Sequence, residues 1–250
     1  MFSLSGQKAL VTGASRGIGA AIAEAFARQG ADVAIASRSA EGLAQTRERV
    51  EAHGVRALAL EMDVADLASI TRGVERSVEQ FGRLDILVSN AGVNQPAPAL
   101  ELDPESWDRH FTVNVRGSFF AAQAAARHMV KAGYGRIIFI SSQSGISAIR
   151  NQAAYCATKA ALNHIARSLG VEWASYGITV NAIAPTFIDT ALTRDRLERP
   201  DYRQMVLGKI PSGKLAQLDD VAAAAVYLAS REAGMVNASV LSVDGGWTAW

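Results

Sequence analysis

Tyr155 and Lys159 stand four residues apart in the segment Asn151-Gln-Ala-Ala-Tyr-Cys-Ala-Thr-Lys159. Ser142 lies thirteen residues upstream, just past the apolar run Arg136-Ile-Ile-Phe-Ile140. A spacing of four puts the phenol and the ammonium on one helix face, a turn apart. Together with the serine hydroxyl they form a set that could meet one carbonyl oxygen. A free phenol titrates near pH ~10 and is a poor acid–base catalyst at neutral pH. An ammonium ~5 Å away, at an effective dielectric of ~20, favours the phenolate by roughly 3 kcal/mol, or about two pK units. That expectation moves the phenol toward the range of efficient proton transfer.

The elements that must hold these groups alternate along the whole chain. Strand candidates are Lys8–Val11, Asp32–Ser37, Ala57–Met62, Leu84–Ser89, Arg136–Ser141, Thr179–Ala184 and Ser239–Val243. Several are unbroken apolar runs, which suits strands covered on both faces. Helical patterns fill the intervals at Gly17–Gln29, Ala40–His53, Leu67–Phe81, Pro104–Lys131, Asn151–Tyr176 and Leu218–Ser230. Strand–helix alternation of this kind predicts an α/β fold, a mainly parallel seven-stranded sheet with helices on both faces. No linker or change of composition divides it, so residues 1–250 read as one domain. The stretch 186–214 breaks the alternation, is charged and carries Pro200 and Pro211. It reads as a substrate lid or binding loop.

A glycine turn, Thr12-Gly13-Ala-Ser15-Arg16-Gly17-Ile18-Gly19, follows the first strand and opens the first helix. In that context the main chain can approach a pyrophosphate, and the helix N-terminus offers unpaired N–H groups with positive dipole character. At the end of the second strand an acidic residue would bind a ribose 2′-hydroxyl, whereas arginine suits a 2′-phosphate. The chain reads Ala36-Ser37-Arg38 there, with no carboxylate, and Arg16 is a second cation within the turn. With Ser15 and Ser37 as donors, these residues predict NADP(H) over NAD(H). The alternative is that Arg38 is a solvated surface residue.

These motifs, in this order and over nearly all 250 residues, resemble the short-chain dehydrogenase/reductase family. The resemblance implies a doubly wound Rossmann domain and a nicotinamide cofactor. By resemblance, Asp63-Val64 contacts the adenine, and Asn90-Ala91-Gly92 steadies the sheet and passes the adenine ribose. Ser142, Tyr155 and Lys159 match the family's catalytic serine, tyrosine and lysine, and Asn114 its catalytic-site asparagine. Ser142 would then hydrogen-bond the carbonyl oxygen and Tyr155 would exchange a proton with it. Lys159 would lower the tyrosine pKa and hold the nicotinamide ribose. Asn114 would distort its helix and hold a water that links Lys159 toward solvent. Pro185, Ile188 and Thr190 match cofactor-contacting positions after the sixth strand. One departure stands out: Thr186 occupies the place of the usual glycine, which puts the backbone geometry there in question.

For the substrate, Asn94, Gln95, Ser144, Ile149, Gln152, Phe187 and Leu192 are candidate pocket residues. Their mixture of amides, hydroxyls and apolar groups suits a polyol, sugar or sugar acid. The tail Val243-Asp-Gly-Gly-Trp247-Thr-Ala-Trp250 is similar to those of family members acting on such compounds. A 3-oxoacyl-thioester (acyl-carrier-protein) reductase is the alternative within the class, and a non-catalytic cofactor-binding regulatory protein the alternative outside it. A net charge of +1 with dispersed Lys and Arg gives no electrostatic footprint for nucleic acid. A single cysteine, Cys156, and four scattered histidines give no disulfide and no metal-ligand spacing, so no metal is expected. No long apolar span and no signal-like leader are apparent, which predicts a cytoplasmic protein without membrane partners. The alanine-rich long helices and the apolar last strand resemble surfaces that build family homotetramers.

Overall fold

The computed structural model describes residues 2–190 and 193–249. Seven strands form one sheet: β1 (Lys8–Thr12), β2 (Asp32–Ser37), β3 (Ala57–Glu61), β4 (Ile86–Ser89), β5 (Gly135–Ile140), β6 (Ile178–Pro185) and β7 (Val240–Val243). Their order is β3-β2-β1-β4-β5-β6-β7, and every neighbouring pair is parallel. β5 and β6 are buried along their whole length, which is why their sequences run apolar without alternation. The chain order reverses where β4 returns to pair with β1. At such a switch point the connections after the two strands diverge and leave a crevice at the carboxyl edge.

Helices cover both faces. α1 (Gly17–Arg28), α2 (Ala44–Glu51), α3 (Leu67–Phe81), α4 (Pro104–His110), α5 (Ser118–Ala132), α6 (Ala153–Trp173), α7 (Arg194–Leu197), α8 (Pro200–Gly208) and α9 (Leu218–Ala229) are assigned in chain order. Leu4, Phe26, Ile35 and Leu228 belong to the core between the sheet and the layer of α1 and α9. Ile70, Leu87, Met129, Phe139 and Leu162 belong to the core on the opposite face, under α3, α5 and α6.

Three long helical patterns fold differently from their sequence reading. The segment read as Ala40–His53 starts with a 3-10 turn, Glu41–Leu43, before α2. The stretch read as Pro104–Lys131 is three pieces, with a π-helical turn at Phe111–Gly117 between α4 and α5. Gly117 lies against the Val64 carbonyl there; a Cβ would sit 2.4 Å from that oxygen. The pattern read from Asn151 begins its helix only at Ala153, because Asn151 is left-handed (φ 61°) and Gln152 is not helical.

Residues 186–214, read as an irregular excursion, carry α7 and α8. Pro200, read as an interruption, instead occupies the first turn of α8, where its missing N–H costs nothing. The segment has its own small core of Phe187, Leu197, Val206, Ile210, Leu215 and Trp247. Trp247 packs 5.6 Å from the Phe187 ring and donates from Nε1 to Ser147 Oγ at 3.1 Å. The aromatic tail thus closes the lid's core from beneath. Trp250 lies outside the described residues. No helix among the described residues is long and apolar enough to cross a membrane.

Candidate active site

Two carbonyls and one hydroxyl set the floor of the crevice. Asn90 donates through Nδ2 to the Thr12 and Gly13 carbonyls at 2.9 and 3.0 Å. In return the Asn90 and Ala91 amides donate to Thr12 Oγ1 at 3.0 and 3.1 Å. This stitch joins the ends of β1 and β4, and it explains the turn that follows. A Cβ on Gly19 would lie 2.4 Å from the Gly13 carbonyl oxygen and 2.5 Å from Asn90 Nδ2, so only glycine fits. Gly17 is left-handed (φ 59°), which turns the chain into α1.

α1 starts at Arg16 with no side-chain cap and no acid in its first turn. Its leading N–H groups therefore suit an anion, and the donor set fits a pyrophosphate. Arg16 and Arg38 are both exposed, and neither guanidinium has an ion pair among the described residues. Ser15 lies beside the turn after β2; a Cβ on Gly42 would sit 3.4 Å from Ser15 Cβ. Ser37 donates to the Ser39 carbonyl at 2.6 Å. Asp63 holds its own loop by accepting from the Ala65 amide at 2.9 Å, and Val64 is buried against Gly117.

Asn114 sits in the π-turn, fully buried. Its Oδ1 accepts from the Val93 amide at 2.8 Å, and its Nδ2 donates to the Val93 carbonyl at 2.9 Å and to Thr158 Oγ1 at 3.1 Å. It therefore ties the loop after β4, including Gly92, to α6 one turn from Tyr155. His110 supports the same loop: Nδ1 faces the Ser106 carbonyl at 2.7 Å and Nε2 accepts from the Gln95 amide at 3.0 Å.

Ser142, Tyr155 and Lys159 converge at the carboxyl end of β5, but their electrostatics differ from the sequence expectation. Lys159 donates to the Ile140 carbonyl at 2.7 Å, and its ammonium stands 5.5 Å from the centre of the Tyr155 ring. Tyr155 is half-buried and lines the cleft beside β5. Burial pushes the phenol up to about 12, against a smaller downward pull from the Ser142 hydroxyl. Burial likewise lowers the Lys159 ammonium to about 8. The sequence reading had the lysine lowering the tyrosine. Here desolvation penalises both ions, and the ammonium is directed to a carbonyl instead of the phenol oxygen.

A cleft of about 530 Å³, mouth included, opens beside Tyr155. Ile18, Asn94, Ser142, Ser144, Gln152, Pro185, Phe187, Ile188 and Thr190 line it with Tyr155. Gln95 and Ile149 are not among its walls; Ile149 packs on the lid core, and Leu192 lies outside the described residues. Thr186 takes no left-handed conformation, so the absent glycine imposes no backbone strain. Its amide donates to the Val243 carbonyl at 3.1 Å.

Four cleft residues, Ser141, Gln143, Thr193 and Arg196, escaped the sequence reading, whereas Thr186 lines the cleft as well as following β6. Gln143 folds its Oε1 back onto the Ser142 hydroxyl at 2.5 Å and the Ser144 amide at 2.6 Å. Arg196 enters from α7. A serine-rich strand end flags Gln143 as adjacent, whereas nothing in the charged lid sequence separates Arg196 from its neighbours.

A family model described as enoyl-(acyl carrier protein) reductase matches residues 13–248. Gluconate 5-dehydrogenase of Gluconobacter oxydans (strain 621H) is 38% identical over 248 residues, covering 99% of this chain and 97% of its own length. D-threitol dehydrogenase of Mycolicibacterium smegmatis is 41% identical, covering 99% and 95%. The chain belongs to the short-chain dehydrogenase/reductase family. Among solved family structures, a gluconate 5-dehydrogenase from Burkholderia cenocepacia J2315, in complex with NADP and tartrate, superposes with a TM-score of 0.96. It is 36% identical and covers 100% of this chain and 98% of that one. As a short-chain dehydrogenase/reductase with such relatives, the protein is an oxidoreductase acting on CH–OH groups, which leaves no place for the non-catalytic alternative.

The lysine shift carries a sign that can be checked. Between about pH 8 and the ordinary value of 10.5, the unfolded chain binds a proton at residue 159 that the folded chain does not. Stability therefore rises with pH across that window. Urea unfolding of the wild type and of Lys159→Met at pH 8 and pH 10 should show the wild type gaining on the order of 2 kcal/mol relative to the variant.

Proposed function

We propose that this short-chain dehydrogenase/reductase transfers hydride between NADP(H) and a secondary alcohol or ketone of a polyol, sugar or sugar acid. The observation that carries the reading is the convergence of the Ser142 and Tyr155 hydroxyls on one cleft wall, beside an uncapped helix start. The polar lining, with Asn94, Ser144, Gln152 and Thr186, supports a hydroxylated substrate over the acyl chain of a 3-oxoacyl thioester. The relatives named above point the same way. The lid over residues 186–214 would shield the cleft from water.

In reduction, the neutral Tyr155 phenol gives its proton to the carbonyl oxygen; in oxidation the tyrosinate, formed beforehand by loss of that proton to solvent, removes the alcohol proton. A phenol held up to about 12 by burial is fully protonated at neutral pH and still a stronger acid than an alcohol. It is thus suited to donation as charge develops on oxygen. Ser142, whose hydroxyl donates to Gln143 Oε1 in this structure, would turn its own proton to the substrate oxygen and orient that oxygen. The buried Lys159 ammonium, one turn away, favours the tyrosine anion once the proton has left. The nicotinamide, when bound, supplies or accepts the hydride.

For the cofactor, Gly13, Ser15, Arg16, Gly17, Ile18 and Gly19 would hold the phosphates. Ser37 and Arg38 would take the 2′-phosphate, with Asp63, Val64, Asn90, Ala91 and Gly92 along the adenosine. Tyr155, Lys159, Pro185, Ile188 and Thr190 would place the nicotinamide end. Arg38 after β2 and Arg16 in the glycine turn, both without carboxylate partners among the described residues, favour a 2′-phosphate. A homotetramer completes the proposal: β7 is a sheet edge whose strand stays partly exposed, and such edges are usually covered.

Tyr155→Phe should lower turnover by about 10²–10⁴-fold while NADP(H) binding, followed by fluorescence titration, stays near the wild-type value; near-normal turnover would refute the assignment. Arg38→Ala should lower kcat/KM for NADP(H) by roughly tenfold or more and leave NAD(H) kinetics, measured in parallel, almost unchanged. Sedimentation should give a mass near four chains, and a monomer would refute the assembly.

A further inference from the structure

Arg196 is the one formally charged side chain on the wall of the substrate cleft among the described residues. The arginines on either side of it are already paired: Arg194 meets Asp189 at 3.0 Å and Arg199, before α8, meets Asp201 at 3.0 Å. Arg196 has no such carboxylate among the described residues, although it is partly buried. Its position is held from behind, because the adjacent Leu197 is buried in the lid's small core with Phe187 and Trp247.

An uncompensated guanidinium on the wall of a partly enclosed cleft, with no acid facing it, is a carboxylate receptor in search of its anion. The same walls carry hydrogen-bonding side chains, Asn94, Ser144, Gln152 and Thr186, suited to the hydroxyls of a polyhydroxylated chain. We propose that Arg196 binds the carboxylate of the substrate, so that the enzyme selects polyhydroxy acids over the corresponding neutral polyols. This rests on the polyol, sugar or sugar-acid reading above and narrows it to the acids.

D-gluconate and D-glucitol serve as matched probes, since they share a hydroxylated chain and differ at the end that carries charge. With saturating NADP, wild-type kcat/KM should favour gluconate by about tenfold or more. Arg196→Gln should lower kcat/KM for gluconate by roughly 10- to 100-fold, chiefly through KM, and leave glucitol within about threefold; Arg196→Lys should recover part of the loss. Equal losses on both probes, or no gluconate preference in the wild type, would overturn the proposal. So would a rise confined to KM for NADP, which would place the guanidinium on the cofactor phosphates. If neither probe is oxidised, it is the choice of substrate class that has failed. Calorimetric titration of NADPH-saturated enzyme with gluconate then decides the role of Arg196. Binding to the wild type that is lost in Arg196→Gln supports it; absent or unchanged binding refutes it.

Discussion

The amide of Asn90, donating to the two carbonyls that end β1, is the contact on which the rest of the site is built. A parallel sheet delivers every strand's carboxyl end to the same edge, but it does not by itself hold two diverging loops in register. Asn90 and the Thr12 hydroxyl do that with four hydrogen bonds. Because the amide fills the space under the turn, Gly19 must lack a side chain. The α1 N-terminus is consequently drawn onto the floor of the crevice. On the far side, Asn114 ties the continuation of the same loop to α6, so the glycine turn and the tyrosine helix are linked through one short segment, 90–93.

Burial then governs the chemistry. Lys159 is among the few charged groups almost wholly removed from solvent, and its ammonium is stabilised by the Ile140 carbonyl. A low dielectric raises the cost of each isolated ion and strengthens the attraction between opposite charges once both form. In the proposed mechanism, the same desolvation that holds Tyr155 neutral would make Lys159 a stronger partner for the anion that appears during proton transfer. The Gln143 side chain, packed onto Ser142 and Ser144, adds a further restraint, since it fixes the serine hydroxyls in one arrangement.

Residues 186–214 form a small structure outside the sheet. Its core of six buried apolar residues includes Trp247 from the chain's tail, and a β-bridge between Ile188 and Ala216 closes its base. This anchoring lets a segment outside the sheet present a side chain at a defined place in the cleft.

The apolar runs and their alternation with helical patterns were enough to establish an α/β sheet of seven strands, because periodicity reflects burial directly. The glycine turn was legible for the same reason: few residue types can occupy it. The four-residue spacing of Tyr155 and Lys159 also placed them together without coordinates. What sequence reasoning could not supply was anything that depends on contacts between distant segments. The strand order, the two helices within 186–214 and the position of Arg196 all follow from packing across long sequence separations, while the distortion at Asn114 was implied only by the family resemblance. The tyrosine's proton affinity is of this kind too. Spacing along a helix predicts that a cation is near, whereas the sign of the shift is decided by how much water the surrounding chain removes, and only the folded structure determines that.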